Sequence, residues 1–216
     1  MEDYNKIVAI GRVVETPYLH HTSHGKNITE FRIVNERLKR KDALRVRLVD
    51  NGYIYVPSIG ETVLIDGQIR TIMEMGKKTT FIHAYRILTG TSNALINRCL
   101  LVGKVMDIPY FKKKKNFNIC NFLLGVERGR IIDSIQISCF GESNKKMKST
   151  KQGDRIIIEG FLVTRYFDRC KEDGFVKEQV SEVFAYKINE DGDEEYENQI
   201  EKDVFEKLQM LSFVKP

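Results

Sequence analysis

The chain says nearly the same thing twice, and no other feature constrains its fold as much. Asn5 to Val13 (NKIVAIGRV) is echoed by Asn97 to Val105 (NRCLLVGKV), and both copies run on to a Pro-Tyr pair, Pro17-Tyr18 and Pro109-Tyr110. Asn27–Phe31 returns as Asn118–Phe122, Gly60–Gly67 as Gly153–Gly160, and Ala84–Ile87 as Ala185–Ile188. The offset drifts along the chain through 92, 91, 93 and 101. Ordered blocks with a drifting offset are the mark of a duplicated domain whose loops differ in length. The period is too long for a solenoid or propeller. The 216 residues thus divide into two copies of roughly 90–100 residues, each large enough for a modest core, and a tail. The expected boundaries are 1–89, 97–188 and 189–216.

Each copy reads as five strands. In the second they are expected at Cys99–Met106, Phe117–Val126, Ile135–Cys139, Arg155–Thr164 and Val180–Ile188. The first is apolar nearly throughout, as a curved strand buried on both faces would be, with Gly103 at a bend or bulge. Ile135, Ile137 and Cys139 alternate with Gln136 and Ser138, which predicts one wet face. The polar stretch Glu142–Gln152 has room for one or two helical turns. The first copy matches, with strands near Lys6–Val14, Ile28–Asn35, Leu44–Val49, Thr62–Thr71 and Thr80–Leu88. Five short strands with one small helical insert predict an all-β chain of two tandem five-stranded Greek-key barrels, the OB-fold. Thr89–Asn93 is expected to link them. Beyond an acidic stretch at Asn189–Glu195, Ile200, Val204, Phe205, Leu208 and Leu211 recur at helical spacing, which predicts a C-terminal amphipathic helix.

Charge is distributed unevenly. Residues 1–96 carry 14 Lys and Arg against 10 Asp and Glu, residues 97–188 carry 18 against 11, and residues 189–216 carry 3 against 9. Two basic bodies with an acidic tail suit a polyanion binder, although lysine-rich surfaces also serve solubility. No stretch is long and apolar enough to span a bilayer, and Met1-Glu2-Asp3-Tyr4 begins no signal-peptide core. Cys99, Cys120, Cys139 and Cys170 have no C-x-x-C spacing, and three of them lie in apolar runs. They read as buried thiols in a reducing compartment, so a cytoplasmic location without a membrane is expected.

The second copy resembles the bacterial single-stranded DNA-binding protein family. The resemblance rests on Asn97 and Leu101–Val105, Phe122–Arg128, Ile135–Glu142, Gly153–Arg165, a hairpin holding Phe167, Asp168 and Gly174, and Glu182–Ala185. It covers 97–188 in order; the first copy keeps only the framework. It implies a barrel that binds single strands without sequence preference. Such a site needs cations for the phosphates and flat side chains for the bases, each stacked base contributing roughly 1–3 kcal/mol. Carried over by position, Phe140 and Phe167 fall where the family stacks bases. Phe140 also breaks the alternation of Ile135, Ile137 and Cys139, so it is expected to face away from the core.

Lys112, Lys113, Lys114 and Lys115 are expected in the loop between the first two strands, flanked by Tyr110, Phe111 and Phe117. They suit either a strand-binding finger or a merely solvated loop. Lys104, Arg128, Arg130, Arg165 and Arg169 lie on strands or hairpins that could line the groove. The chain departs from the family in having no tryptophan. In the first copy Val49 and Glu74 stand where the second has Phe140 and Phe167, with Tyr53 and Tyr55 as the candidate substitutes. The family's acidic C-terminal recruiting peptide is replaced by an internal acidic stretch, and the chain ends Leu211-Ser212-Phe213-Val214-Lys215-Pro216.

Other motifs lead nowhere. His20, His21 and His24 read as a polar loop rather than a metal site. No phosphate-cradling glycine motif and no acid–base pair stands out. The expectation is therefore a non-enzymatic protein without cofactor that binds single-stranded DNA in replication, recombination or repair. Because the family commonly assembles four OB-folds, two per chain imply a homodimer, with replication or repair proteins as further partners. A primosome-type accessory protein and a protein-binding OB module with little DNA affinity are the alternatives.

Overall fold

In the computed structural model the described residues are 2–37, 40–50, 52, 54–90, 96–113, 117–171 and 174–190, with backbone only at 37, 168–171 and 174–177. The first half folds as β1 (Tyr4–Val13), β2 (Tyr18–Ser23), β3 (Lys26–Arg37), β4 (Arg40–Asp50), β5 (Thr62–Glu74) and β6 (Lys77–Thr89). The second folds as β7 (Asn97–Val105), β8 (Tyr110–Lys113), β9 (Asn118–Arg128), β10 (Ile131–Cys139), α1 (Glu142–Lys146), β11 (Arg155–Lys171) and β12 (Gly174–Glu190).

Both halves close in the same way. β1 lies antiparallel to β5 (Ile7 opposite Gly67), then passes to β3 (Arg12 opposite Val34), while β4 and β6 pair in parallel (Val46 with Ile82). β7 likewise passes from β11 (Cys99 opposite Gly160) to β9 (Lys104 opposite Gly125), and β10 joins β12 in parallel (Ile137 with Val183). The result is two tandem five-stranded OB-fold barrels. Gly103 stands at the changeover of β7, where a Cβ would come 2.3 Å from the Gly125 carbonyl oxygen. Alternation fills each interior: Phe31, Ile33, Val46, Leu48 and Ile65 in the first, Phe122, Leu124, Ile135, Ile137 and Ile158 in the second, all essentially inaccessible. Each such side chain contributes about 1.5–3 kcal/mol.

The joint strand order, β2-β3-β4-β6-β5-β1-β7-β11-β12-β10-β9-β8, reads the same in either direction once counterparts are matched. At its centre β1 and β7 run antiparallel, with Ile7 opposite its own counterpart, Cys99. A local two-fold axis therefore passes between them, and the side-chain locks obey it. Asn5 bonds both backbone groups of Ile69 (2.7 and 2.9 Å), and Asn97 those of Leu162 (2.8 and 3.0 Å). Asp42 accepts the Thr164 N–H at 2.8 Å, and Asp133 accepts the Thr71 N–H at 2.8 Å. Lys77 meets its own counterpart Glu178 as an ion pair, so divergence has placed opposite charges where an exact duplicate would set like ones.

Several expectations change. Each half has a sixth, short strand outside the barrel closure, because β2 and β8 form hairpins on β3 and β9. Lys112 and Lys113 therefore lie on a strand rather than in a loop, and His20 and His21 likewise. The helical insert is limited to α1. Cys99, Cys120 and Cys139 are buried free thiols, as expected. Lys114, Lys115, Tyr53, the side chains of Arg169 and Cys170, most of the expected linker and the C-terminal helix lie outside the described residues. Among the described residues, no helix is long and apolar enough to cross a membrane.

Candidate nucleic-acid interface

The face that Phe140 joins follows from strand register, since directly opposed residues share a face. Cys120, Phe122, Ile137 and Ala185 point inward, so their neighbours in sequence point outward. Tyr110 lies opposite Asn121, Asn121 opposite Ser138, Ser138 beside Phe184, and Phe184 opposite Phe161. One row thus crosses β8, β9, β10, β12 and β11 on the outside of the second barrel. Lys112, opposite Ile119, stands on the same face.

Aromatic rings concentrate at one end of this face. Phe117 lies 6.2 Å from Phe140, Phe140 4.9 Å from Phe184, Phe184 5.1 Å from Phe161, and Phe161 6.2 Å from Tyr186, measured between ring centroids. The last two pairs are near-parallel, at 23° and 25°. Phe117, Phe140 and Tyr186 keep 52%, 51% and 45% of their surface in solvent. Phe161 and Phe184 are half-buried beneath them. Tyr186 is the extra residue where the β11–β12 register shifts, since Gly160 faces Ala185 while Glu159 faces Lys187. Its hydroxyl donates to Glu159 at 3.0 Å, and burial, followed by the Glu159 charge, pushes its pKa up.

Phe167 shares the outer face, being in phase with Phe161, and is 45% exposed. It lies six residues further along β11, which at the rise of a strand is about 20 Å away. Between the two points the face carries Val163, opposite Glu182, and Val180, opposite Arg165, around a polar cluster. Arg165 pairs with Glu182 at 2.5 Å and donates to Ser138 at 3.1 Å, and Ser138 donates to Glu182 at 2.7 Å. Phe140 and Phe167 are therefore two separate points on one face.

The other expected residues divide. Tyr110 and Lys112 are exposed on the ring-bearing face, whereas Phe111, opposite Cys120, and Lys113 turn to the other side of β8. Lys104 faces outward from β7 and pairs with Glu127 at 3.7 Å. Arg128 is engaged at the junction of the barrels, donating to the buried Asp133 at 3.1 Å. Arg130 is exposed in the β9–β10 turn. Arg165 is spoken for by Glu182, so among these cations Lys112, Lys113 and Arg130 have no ion-pair partner among the described residues, and of the three Lys113 turns away from the ring-bearing face. Sequence reasoning missed Phe161, Phe184, Tyr186 and the exposed Arg98. The signal was there: Phe184 and Tyr186 flank the inward Ala185, and Phe161 precedes the inward Leu162.

The same face of the first barrel is built differently. Its row reads Tyr18, Glu30, Arg47, His83 and Gln68. Arg47 is almost fully buried, bonded to Glu30 at 2.5 Å and to Glu74 at 2.6 Å, with its guanidinium 4.4 Å from the Phe81 ring centroid. His20 stands 3.1 Å from Arg47, and burial and that charge depress its pKa. Burial pushes the Glu74 carboxyl up, but hydrogen bonds from Arg47 and Thr79 outweigh it and hold the pKa below the usual value. Tyr55 is tied to Glu61 at 3.0 Å. Charges that satisfy one another here leave little for a phosphate. Among the described residues no cluster of His, Cys, Asp and Glu could hold a metal ion.

An OB-fold barrel whose outer face carries a line of exposed rings defines a class: proteins that lay a strand of bases across a sheet. Comparison with known proteins makes the class specific. Residues 96–190, the span of the second barrel, match the model of the single-strand binding protein family. No curated protein matches the chain. Among solved structures, the single-stranded DNA binding protein from Thermus aquaticus is similar in fold. Its deletion mutant superimposes with a TM-score of 0.73 at 15% identity, covering 88% of this chain and 95% of that one. The wild-type form gives 0.71 at 15% identity, covering 88% and 94%. The similarity spans both barrels, as the internal repeat implies.

Proposed function

We propose that this protein binds single-stranded DNA without sequence preference, chiefly through the second barrel, in replication, recombination or repair. Bases stack on Phe140 and Phe167, with Tyr110 beside them. Lys112 and Arg130, with Lys113, Lys114, Lys115, Lys104 and Arg169 as outlying charge, hold the phosphates. Phe111, Arg128 and Arg165 support the face rather than touch the strand. The observation that carries this reading is the line of half-exposed rings on the outer face of a barrel matching the single-strand binding family. A fully apolar purpose would bury those rings.

In this reading 1–89 is a first OB domain that binds DNA weakly, 97–188 the main binder, and 189–216 an acidic linker and helix. The neutralised Glu30–Arg47–Glu74 face supports assigning the first domain to assembly or partner contact. The protein acts without catalysis or cofactor as a cytoplasmic homodimer, which sedimentation of the full chain tests. Phe140→Ala is expected to weaken oligo-dT binding about tenfold without lowering thermal stability. Unchanged affinity at fixed salt would defeat the stacking role.

A further inference from the structure

The duplication supplies an internal control that isolates a second group of rings. Both barrels carry the same bulge, with Tyr85 the extra residue in one and Tyr186 in the other. Both also keep a glycine there that leaves no room for a Cβ. One at Gly67 would lie 2.2 Å from the His83 carbonyl oxygen, and one at Gly160 2.6 Å from that of Phe184. The framework is thus shared, yet the pair opposed across it differs. The first barrel has Gln68 and His83, and the second has Phe161 and Phe184. Folding this barrel does not require phenylalanine on its outer face, since its twin is built with polar residues at the same points.

We infer that the strand-binding track of the second barrel continues past Phe140 over Phe184 and Phe161 to Tyr186, and that Arg98 holds a phosphate where the track meets the first barrel. This rests on the single-strand-binding reading and extends it. The ring spacings, 4.9, 5.1 and 6.2 Å, make the extension continuous with Phe140. Stacking on such a platform tolerates every base, because every base has a π-face. Arg98 is placed by the fold. It lies on the outer side of β7, exposed, opposite Val8 of β1, and its charge acts on the Tyr186 phenol. Glu159, whose carboxylate bonds Tyr186, is also paired with Lys187 at 3.7 Å, which offsets its repulsion of a phosphate. The track therefore runs away from the Phe167 hairpin and toward the β1–β7 seam.

The test is anisotropy titration of the full chain with labelled oligo-dT of about 8 and about 30 nucleotides, a range suited to barrels that occupy roughly 4–16 nucleotides each. The Phe161→Leu/Phe184→Leu double variant keeps apolar bulk and removes the flat faces. It is expected to lose about tenfold in affinity for the longer oligonucleotide and to hold the shorter one within about twofold. The exposed Arg98→Gln variant, which leaves the core untouched, is expected to reduce the slope of log affinity against log salt by about 0.7. If wild type binds, Phe140→Ala weakens it, and neither variant changes affinity or slope at either length, the extended track is wrong while the Phe140 site stands. If wild type binds no oligonucleotide, both readings fall together.

Discussion

Replacing Asp133 by alanine should loosen the joint between the barrels by a predictable amount. Its carboxylate is 1% exposed and makes two bonds, accepting the Thr71 N–H at 2.8 Å and the Arg128 Nε–H at 3.1 Å. Alanine leaves the buried Thr71 N–H without its acceptor, which costs about 1–3 kcal/mol. Losing the charged bond to Arg128 adds about 1 kcal/mol, a small term because that side chain is partly solvated and can rehydrate. The total is about 3 kcal/mol. Asp133→Asn keeps an oxygen toward Thr71 and should cost about 1 kcal/mol. Asp42 plays the mirrored part, accepting the Thr164 N–H at 2.8 Å and pairing with Arg40 at 2.9 Å. Asp42→Ala should therefore match Asp133→Ala within about 1 kcal/mol. Urea unfolding measures all three, with shifted midpoints at constant slope. A loss below about 1 kcal/mol for Asp133→Ala, or an asparagine variant as damaged as the alanine one, would refute the reasoning.

Other consequences can be measured on the same protein. His83 titrates at about 4 because burial, Arg70 and Arg128 disfavour its charge. The unfolded chain then takes up a proton first as pH falls, so stability declines between about 6.5 and about 4 and levels off below. After allowing for partial exposure, this amounts to about 1–2 kcal/mol. His83→Phe, which installs the residue of the second barrel, should flatten that part of the curve relative to wild type, and an unchanged difference would contradict it. Gly103→Ala forces a Cβ to within 2.3 Å of a backbone carbonyl and should cost about 3 kcal/mol or more in thermal or urea unfolding.

Much of this architecture was legible in the residues. The repeated blocks located the strands, and the inward phase of Ile135, Ile137 and Cys139 placed Phe140 outside. What escaped depends on partners distant in sequence. β2 and β8 are short edge strands with no buried residue, so neither carries a burial pattern to read. Phe161 and Phe184 are 23 residues apart and become neighbours only through the β11–β12 register. Arg165 reads as a free cation until Glu182 is brought to 2.5 Å. Arg128 reads as a groove residue until the two-fold arrangement sets Asp133 against the other barrel. Charge in sequence counts ions; the fold decides which remain available.

If the second barrel holds a single strand by rings and unpaired cations together, both salt and stacking must govern its affinity. Titration of the full chain with labelled oligo-dT at about 50 mM and about 200 mM salt tests both parts at once. The account predicts binding that weakens as salt rises yet persists through stacking, and that Phe140→Ala lowers at both concentrations. No binding at the lower salt, or binding that Phe140→Ala leaves untouched at both, would contradict it.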